Sequence, residues 1–403
     1  MINIYTKKEC ILINTLLDWL LFFIISLFVI YTVWYQYAKY EINNLIIIIG
    51  GVMLVVMLFK LPFKRNFHEF APLSLLFIFI FYATVSGFIF AYRSPVFKEM
   101  LLQIFKYLIP MLAIVDFVGN RRRNLKIVLI IFSSTAIVLA ISLLTKGILT
   151  KTSAITVGAY NTNALSSTLI LGAFTTLLLI QEAKIKPFKL ILFGGVLIEF
   201  MAQIFAASRR GVGVHALMLL VYVVIASRMK IDKNRKIKLI GLFVVLFVAS
   251  YLLLDYFREM INTLVVVQRF LGTASTERGD YLRETYQAIA LKLFLSNPIF
   301  GVGLGGVTRE IGVYSHSLYY ELLACTGILG FSLMIGFFTR LLKYFIFKSK
   351  KNLYSTKQVI LENRMSMWFC LCILLSGIAV VFIYDVSLYY TFGIITAIIN
   401  VNK

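Results

Sequence analysis

Charge is scarce in this chain. Asp, Glu, Lys and Arg make up 14% of its 403 residues, 60% are hydrophobic, and the mean hydropathy is +0.90. Soluble domains carry about 25% charged and about 45–50% apolar residues, which excludes a water-soluble globule. Lipid accepts such a surface if each spanning segment satisfies its own backbone hydrogen bonds as a helix. Cysteine is scarce too. Cys10, Cys325, Cys370 and Cys372 include no CxxC pair, and all but Cys10 lie in apolar stretches. That argues against a disulfide framework or a zinc site and for small buried hydrophobes. Histidine occurs only at His68, His215 and His316. No clear small-residue cleavage site follows the first apolar segment, which reads as a retained span and not a removed signal peptide. Nor does a convincing internal repeat suggest a transporter built from two halves.

What the chain does have is long apolar runs. A span needs about 20 apolar residues. Twelve are expected, at 11–33, 44–59, 72–91, 101–118, 126–145, 160–180, 188–206, 211–227, 237–254, 317–339, 366–383 and 386–399. The fold class is therefore all-α: a polytopic membrane protein of about twelve transmembrane helices, one integral membrane domain over 1–403. With the N-terminus in the cytoplasm, cytoplasmic segments hold 26 of the 40 Lys and Arg, including RRRNLK from Arg121 and SRMKIDKNRKIK from Ser227. The positive-inside rule then puts both termini in the cytoplasm. The net charge of +22 is mostly this topology signal and suits anionic lipid. It argues against a nucleic-acid role.

One long external loop, 255–316, joins spans nine and ten. Loops of this length are uncommon unless functional or disordered. It contains a helix-like stretch, YLRETYQAIALKLFL. Polar residues at external span ends are the functional candidates. SRRG, from Ser208 to Gly211, is a tight turn that carries Arg209 and Arg210 at the outer surface. Arg forks bind phosphate oxygens in paired, charge-assisted hydrogen bonds; the alternative is snorkelling to lipid headgroups. Arg278 and Arg283 lie among Glu277, Asp280 and Glu284, a pattern that by itself reads as a solvated, salt-bridged face.

NPIFGVGLGGV, residues 297–307, favours a turn and a tight loop. Its GxGxxG match lacks a βαβ unit, so a nucleotide site is rejected; close backbone approach to a ligand or another segment remains. His316 opens SHSLYYELLACTGILG and can take a proton near neutral pH. Tyr319 and Tyr320, at i+3 and i+4, share its helix face. Glu321 is expensive to bury without a role or partner. Asn161 and Asn163 in GAYNTNALSS open a span, where they cap a helix or recognise sugar. His215 either supports the arginines or packs. Asp116 reads as structural. Asp18 and Glu199 are candidates for proton paths, with no neighbouring basic residue in the sequence to argue for it.

Taken in order, these features resemble the O-antigen polymerase and ligase superfamily, which builds bacterial surface polysaccharides. The resemblance runs through Gly158, Asn161 and Asn163, then SRRG, a long loop with an Arg, NPIFGVGLGG, and HSLYYELLACTGILG from His316. It covers residues 155–335 best. In the family a loop Arg commonly precedes the N-P-x-x-G-x-G run by about four helical turns. Arg283, 14 residues before Asn297, fits, and Arg278 is its rival. The family's His-Asn is His316-Ser317 here, which puts the second position in doubt. The resemblance implies an outward-facing glycosyltransferase of the bacterial cytoplasmic (inner) membrane. Its donor and acceptor would be polyprenyl-diphosphate-linked glycans, with no nucleotide sugar, cofactor or metal. His316, Arg283 and Arg210 would be catalytic. Arg209, Arg278, Asn161, Asn163, Tyr319, Tyr320 and Glu321 would bind substrate. Membrane lipids, a chain-length regulator and a flippase are the candidate partners. Polymerisation of O-antigen or capsular repeats is the favoured activity. An O-antigen ligase acting on lipid A core, or a transporter of the same lipid-linked sugars, is the alternative.

Overall fold

The computed structural model describes residues 7–38, 43–61, 68–150, 162–206, 208–228, 277–351 and 356–402. Among them the chain forms thirteen α-helices and no strand. These are α1 (Lys7–Ala38), α2 (Asn43–Lys60), α3 (Ser74–Ala91), α4 (Pro95–Val118), α5 (Arg122–Thr150), α6 (Thr162–Glu182) and α7 (Lys186–Phe205). They continue with α8 (Arg209–Arg228), α9 (Glu277–Ser296), α10 (Gly306–Ile311), α11 (Leu318–Lys351), α12 (Lys357–Ser376) and α13 (Val386–Val401). Among the described residues eight helical segments are long and apolar enough to cross a membrane, and α2 and α13 are shorter apolar helices. The protein is an all-α polytopic membrane protein. Every expected span falls on one of these helices except 237–254, which lies outside the described residues.

Burial ranks the helices. The apolar window of α6 is 89% buried, against at most 56% for any other candidate span. Val386 to Asn400 of α13 are all buried as well. These two helices form the centre, and Phe174 of α6 stacks on Phe369 of α12 with ring centroids 4.0 Å apart. The outer helices α1, α2 and α3 leave Phe23, Phe59 and Phe81 exposed, as lipid-facing surfaces do.

Two clusters of paired charges lie at one end of the bundle. Lys60, at the end of α2, pairs with Asp116 of α4 and lies 2.7 Å from Asp18 of α1; Arg121 reaches the other oxygen of Asp18 at 2.6 Å. The neighbouring bases absent from the linear sequence around Asp18 are thus supplied by α2 and the α4–α5 turn. A buried charge needs such partners to offset its desolvation. Nearby, Arg122 at the start of α5 donates to Glu182 of α6 at 2.7 Å and pairs with Glu362 of α12.

That second cluster corrects one boundary. The expected span 366–383 is a helix over Lys357–Ser376, followed by a turn and a short 3-10 segment, Phe382–Tyr384. The polar start of α12 is helical because Glu362 meets Arg122, while Asn363 meets Asn402 at 3.3 Å. Glu199 of α7 is fully buried, and Thr176 of α6 donates to it at 3.4 Å.

Candidate functional site

The site lies at the bundle end opposite the charge clusters, and its frame is a backbone joint. α11 is interrupted at Gly327, with φ 63° and ψ −170°. The break frees carbonyls that the helix would have used. Val302 N donates to Ala324 O at 2.9 Å, Gly303 N to Cys325 O at 3.0 Å, and Tyr82 Oη to Thr326 O at 2.9 Å. In return Ile328 N donates to Pro298 O at 2.9 Å. A Cβ on Gly301, itself at φ 72°, would lie 2.5 Å from the Cys325 carbonyl carbon. The NPIFGVG turn is thus spliced into the break of α11. Of the two readings of this glycine run, it is the backbone of another segment that it approaches.

This joint fixes what precedes α11. His316 has φ 60°, a left-handed conformation that is rare for a residue with a side chain. It therefore stands in a turn before Leu318 and not on the helix, so Tyr319 and Tyr320 do not share a helical face with it. Ser315 N donates to Glu321 Oε2 at 2.9 Å, and Leu318 N to Gly377 O at 2.8 Å. Tyr319 Oη donates to Leu374 O at 2.6 Å. Tyr320 packs against a small buried cluster of Ala290, Val307, Ala324 and Cys325. Glu321 thus ties the turn around His316 to α11, and Tyr319 ties the start of α11 to α12.

The His316 ring has two aromatic neighbours. Tyr314 lies 4.7 Å away at 60°, and Tyr286 of α9 lies 5.9 Å away at 20°. Its Nδ1 is buried without a hydrogen-bond partner among the described residues. A buried polar atom left open in this way is costly unless something fills the valence. Burial, and then the positive charge of Arg283, holds the His316 pKa below its usual value. Arg283 is exposed on α9, one turn before Tyr286. The side chain of Arg278, on the same helix, lies outside the described residues.

The second cation comes from α8. Ser208 caps this helix, its Oγ accepting from Gly211 N at 3.2 Å. Arg209 and Arg210 then occupy the first turn, where the helix dipole already favours anions. Gly211 explains the last letter of SRRG: a Cβ there would overlap Gln203 of α7 and Ser166 of α6. Arg209 is half-buried. Arg210 Nη2 donates to Asn163 O at 3.1 Å and to Ser167 Oγ at 3.2 Å, and its guanidinium lies 5.1 Å from the Phe382 ring centroid. Nε and Nη1 have no hydrogen-bond partner among the described residues. Arg210 also borders a cavity of about 30 Å³ between α6, α8, α12 and α13, lined as well by Ser167, Ser376 and Ser387, which is room for roughly two waters.

Asp385 and Tyr314 both lie within electrostatic range of Arg210. Tyr314 therefore links the two halves, since it also touches His316. Asp385 caps α13, its Oδ1 accepting from Ser387 N at 3.0 Å. Asn163 takes part through its carbonyl; Asn161 lies outside the described residues. His215 does not join this group. It is fully buried, edge-on to Phe200 at 5.3 Å, and neither ring nitrogen has a partner among the described residues. Tyr286, Tyr314, Phe382 and Asp385 were not singled out in the sequence. Only Tyr286, three residues after Arg283, and Asp385, two residues before a serine at a helix start, left a readable signal.

Residues 194–335 match the family model described as O-antigen ligase. The match spans about a third of the chain, and it supports a likeness to the O-antigen polymerase/ligase superfamily. The matched segment runs from within α7 through SRRG and the glycine turn to the first half of α11, and it contains Arg209, Arg210, Arg283 and His316. No curated protein matches the chain. The match supports an O-antigen polymerase/ligase-type function in glycan assembly.

Proposed function

We propose that this protein polymerises polyprenyl-diphosphate-linked oligosaccharide repeat units into O-antigen or capsular polysaccharide, at the outer face of the cytoplasmic membrane. The observation that carries the reading is the convergence of Arg210, Tyr314, His316 and Arg283 at one end of the bundle. An acceptor sugar hydroxyl attacks the anomeric carbon of the lipid-linked donor. The new C–O bond forms as the bond to the diphosphate oxygen breaks, and that oxygen leaves with the electron pair. His316 takes the hydroxyl proton as general base; its depressed pKa keeps it neutral and able to accept. Arg283 and Arg210, with Arg209 beside them, stabilise the charge that develops on the diphosphate. Asn161 and Asn163 keep the substrate-binding role that the resemblance implies.

The second reading is an O-antigen ligase that transfers the finished glycan to lipid A core, favoured by the description of the matched family. NPIFGVGLGG and SHSLYYELL resemble polymerase sequences more closely, which favours polymerisation. Cells lacking the protein separate the two. Single repeats left on the lipid carrier support the polymerase. Long glycan that persists on the carrier and never reaches its final acceptor makes it a ligase.

A further inference from the structure

Four residues of α9 follow a helical stripe: Arg283, Tyr286, Ala290 and Leu293, spaced three, four and three apart. Such spacing puts them on one face. Ala290 is fully buried with Val307, Ala324 and Cys325, and Leu293 packs against the same cluster. The face that anchors α9 to α10 and α11 is thus the face that carries Tyr286 and Arg283.

His316 needs such an anchor. Its left-handed backbone is tolerated only when surrounding contacts over-determine it. Ser315, Glu321 and Gly377 secure the turn, but those contacts do not orient the ring. A catalytic imidazole is commonly oriented by a hydrogen bond at the nitrogen that does not react. Here Nδ1 makes none among the described residues. The near-parallel contact is Tyr286, at 5.9 Å and 20°.

We propose that Tyr286 is a positioning residue for His316: its ring, delivered by the docked face of α9, sets the plane in which the imidazole meets the acceptor hydroxyl. Aromatic pairs with centroids about 4.5–7 Å apart favour offset-stacked arrangements, which selects one orientation of the imidazole. The inference rests on His316 being the base.

The test uses membranes containing the full-length protein and a lipid-linked repeat unit, comparing Tyr286→Phe, Tyr286→Leu and His316→Ala with wild type. The expected result is that Tyr286→Phe keeps nearly the wild-type kcat. Tyr286→Leu, which retains apolar bulk without a ring plane, should lower kcat by roughly 10- to 100-fold while KM changes less than about twofold. Equal losses in the Phe and Leu variants would assign the effect to the hydroxyl and overturn the proposal. Wild-type kcat in Tyr286→Leu beside an inactive His316→Ala would overturn it and leave the base assignment standing. An active His316→Ala would overturn both. A Leu variant missing from the membrane is replaced by Tyr286→Met, for which the same loss of kcat is expected.

Discussion

Replacing Gly327 by alanine tests the joint that holds the site. Gly327 has φ 63° and ψ −170°, a region essentially restricted to glycine. Holding a side-chain-bearing residue there costs about 1–3 kcal/mol. The added Cβ would also lie 2.5 Å from the Ile299 carbonyl carbon and 2.7 Å from Gly301 N. Both are backbone atoms, so no side chain can swing away, and overpacking adds roughly 1–3 kcal/mol. The sum, about 2–6 kcal/mol, is a large part of the roughly 5–15 kcal/mol that typically stabilises a fold. Thermal unfolding in detergent should therefore show a clear loss for Gly327→Ala. Gly194→Ala is the control, because nothing lies within 4 Å of its Cβ position; it should be neutral or slightly stabilising. If the two variants melt alike, the spliced joint is not holding the turn as described.

Other perturbations separate the parts. Arg283→Ala removes a positive charge that helps depress the His316 pKa. The pKa then rises, the base becomes protonated at a higher pH, and the acid limb of the pH–rate profile moves upward; an unmoved or downward limb contradicts the electrostatic link. Gly211→Ala forces α8 away from Gln203 and Ser166 and should reduce polymer formation by roughly 100-fold, measured at equal protein level in membranes. Lys60→Met leaves Asp18 and Asp116, both buried, short of a cation. It should destabilise the fold by about 3–5 kcal/mol, read by unfolding in detergent, and a melting curve like wild type would show that the cluster contributes little.

Much of the architecture was legible because apolar runs of about 20 residues leave few alternatives to a spanning helix. The polar start of α12 escaped because its partner, Arg122, is 240 residues away in sequence. Asp18 seemed isolated for the same reason: Lys60 and Arg121 reach it only in three dimensions. In the site, the glycine run announced a close backbone approach, and Gly211 and Gly301 show which segments approach. Sequence spacing misled at His316. The i+3 and i+4 rule assumes a continuous helix, and a left-handed residue breaks that continuity, so its aromatic neighbours come from Tyr314 and from α9 instead. Asp385 and Phe382 were hidden because they reach Arg210 from more than 170 residues downstream.

The most direct test of the central claim is polymer length made by membranes supplied with one lipid-linked repeat unit, comparing wild type with His316→Ala at equal expression. Wild type is expected to give a ladder of repeats. The variant is expected to give single repeats, with a rate lower by roughly 100- to 10,000-fold, the usual contribution of a general base. A full ladder from His316→Ala would contradict that claim.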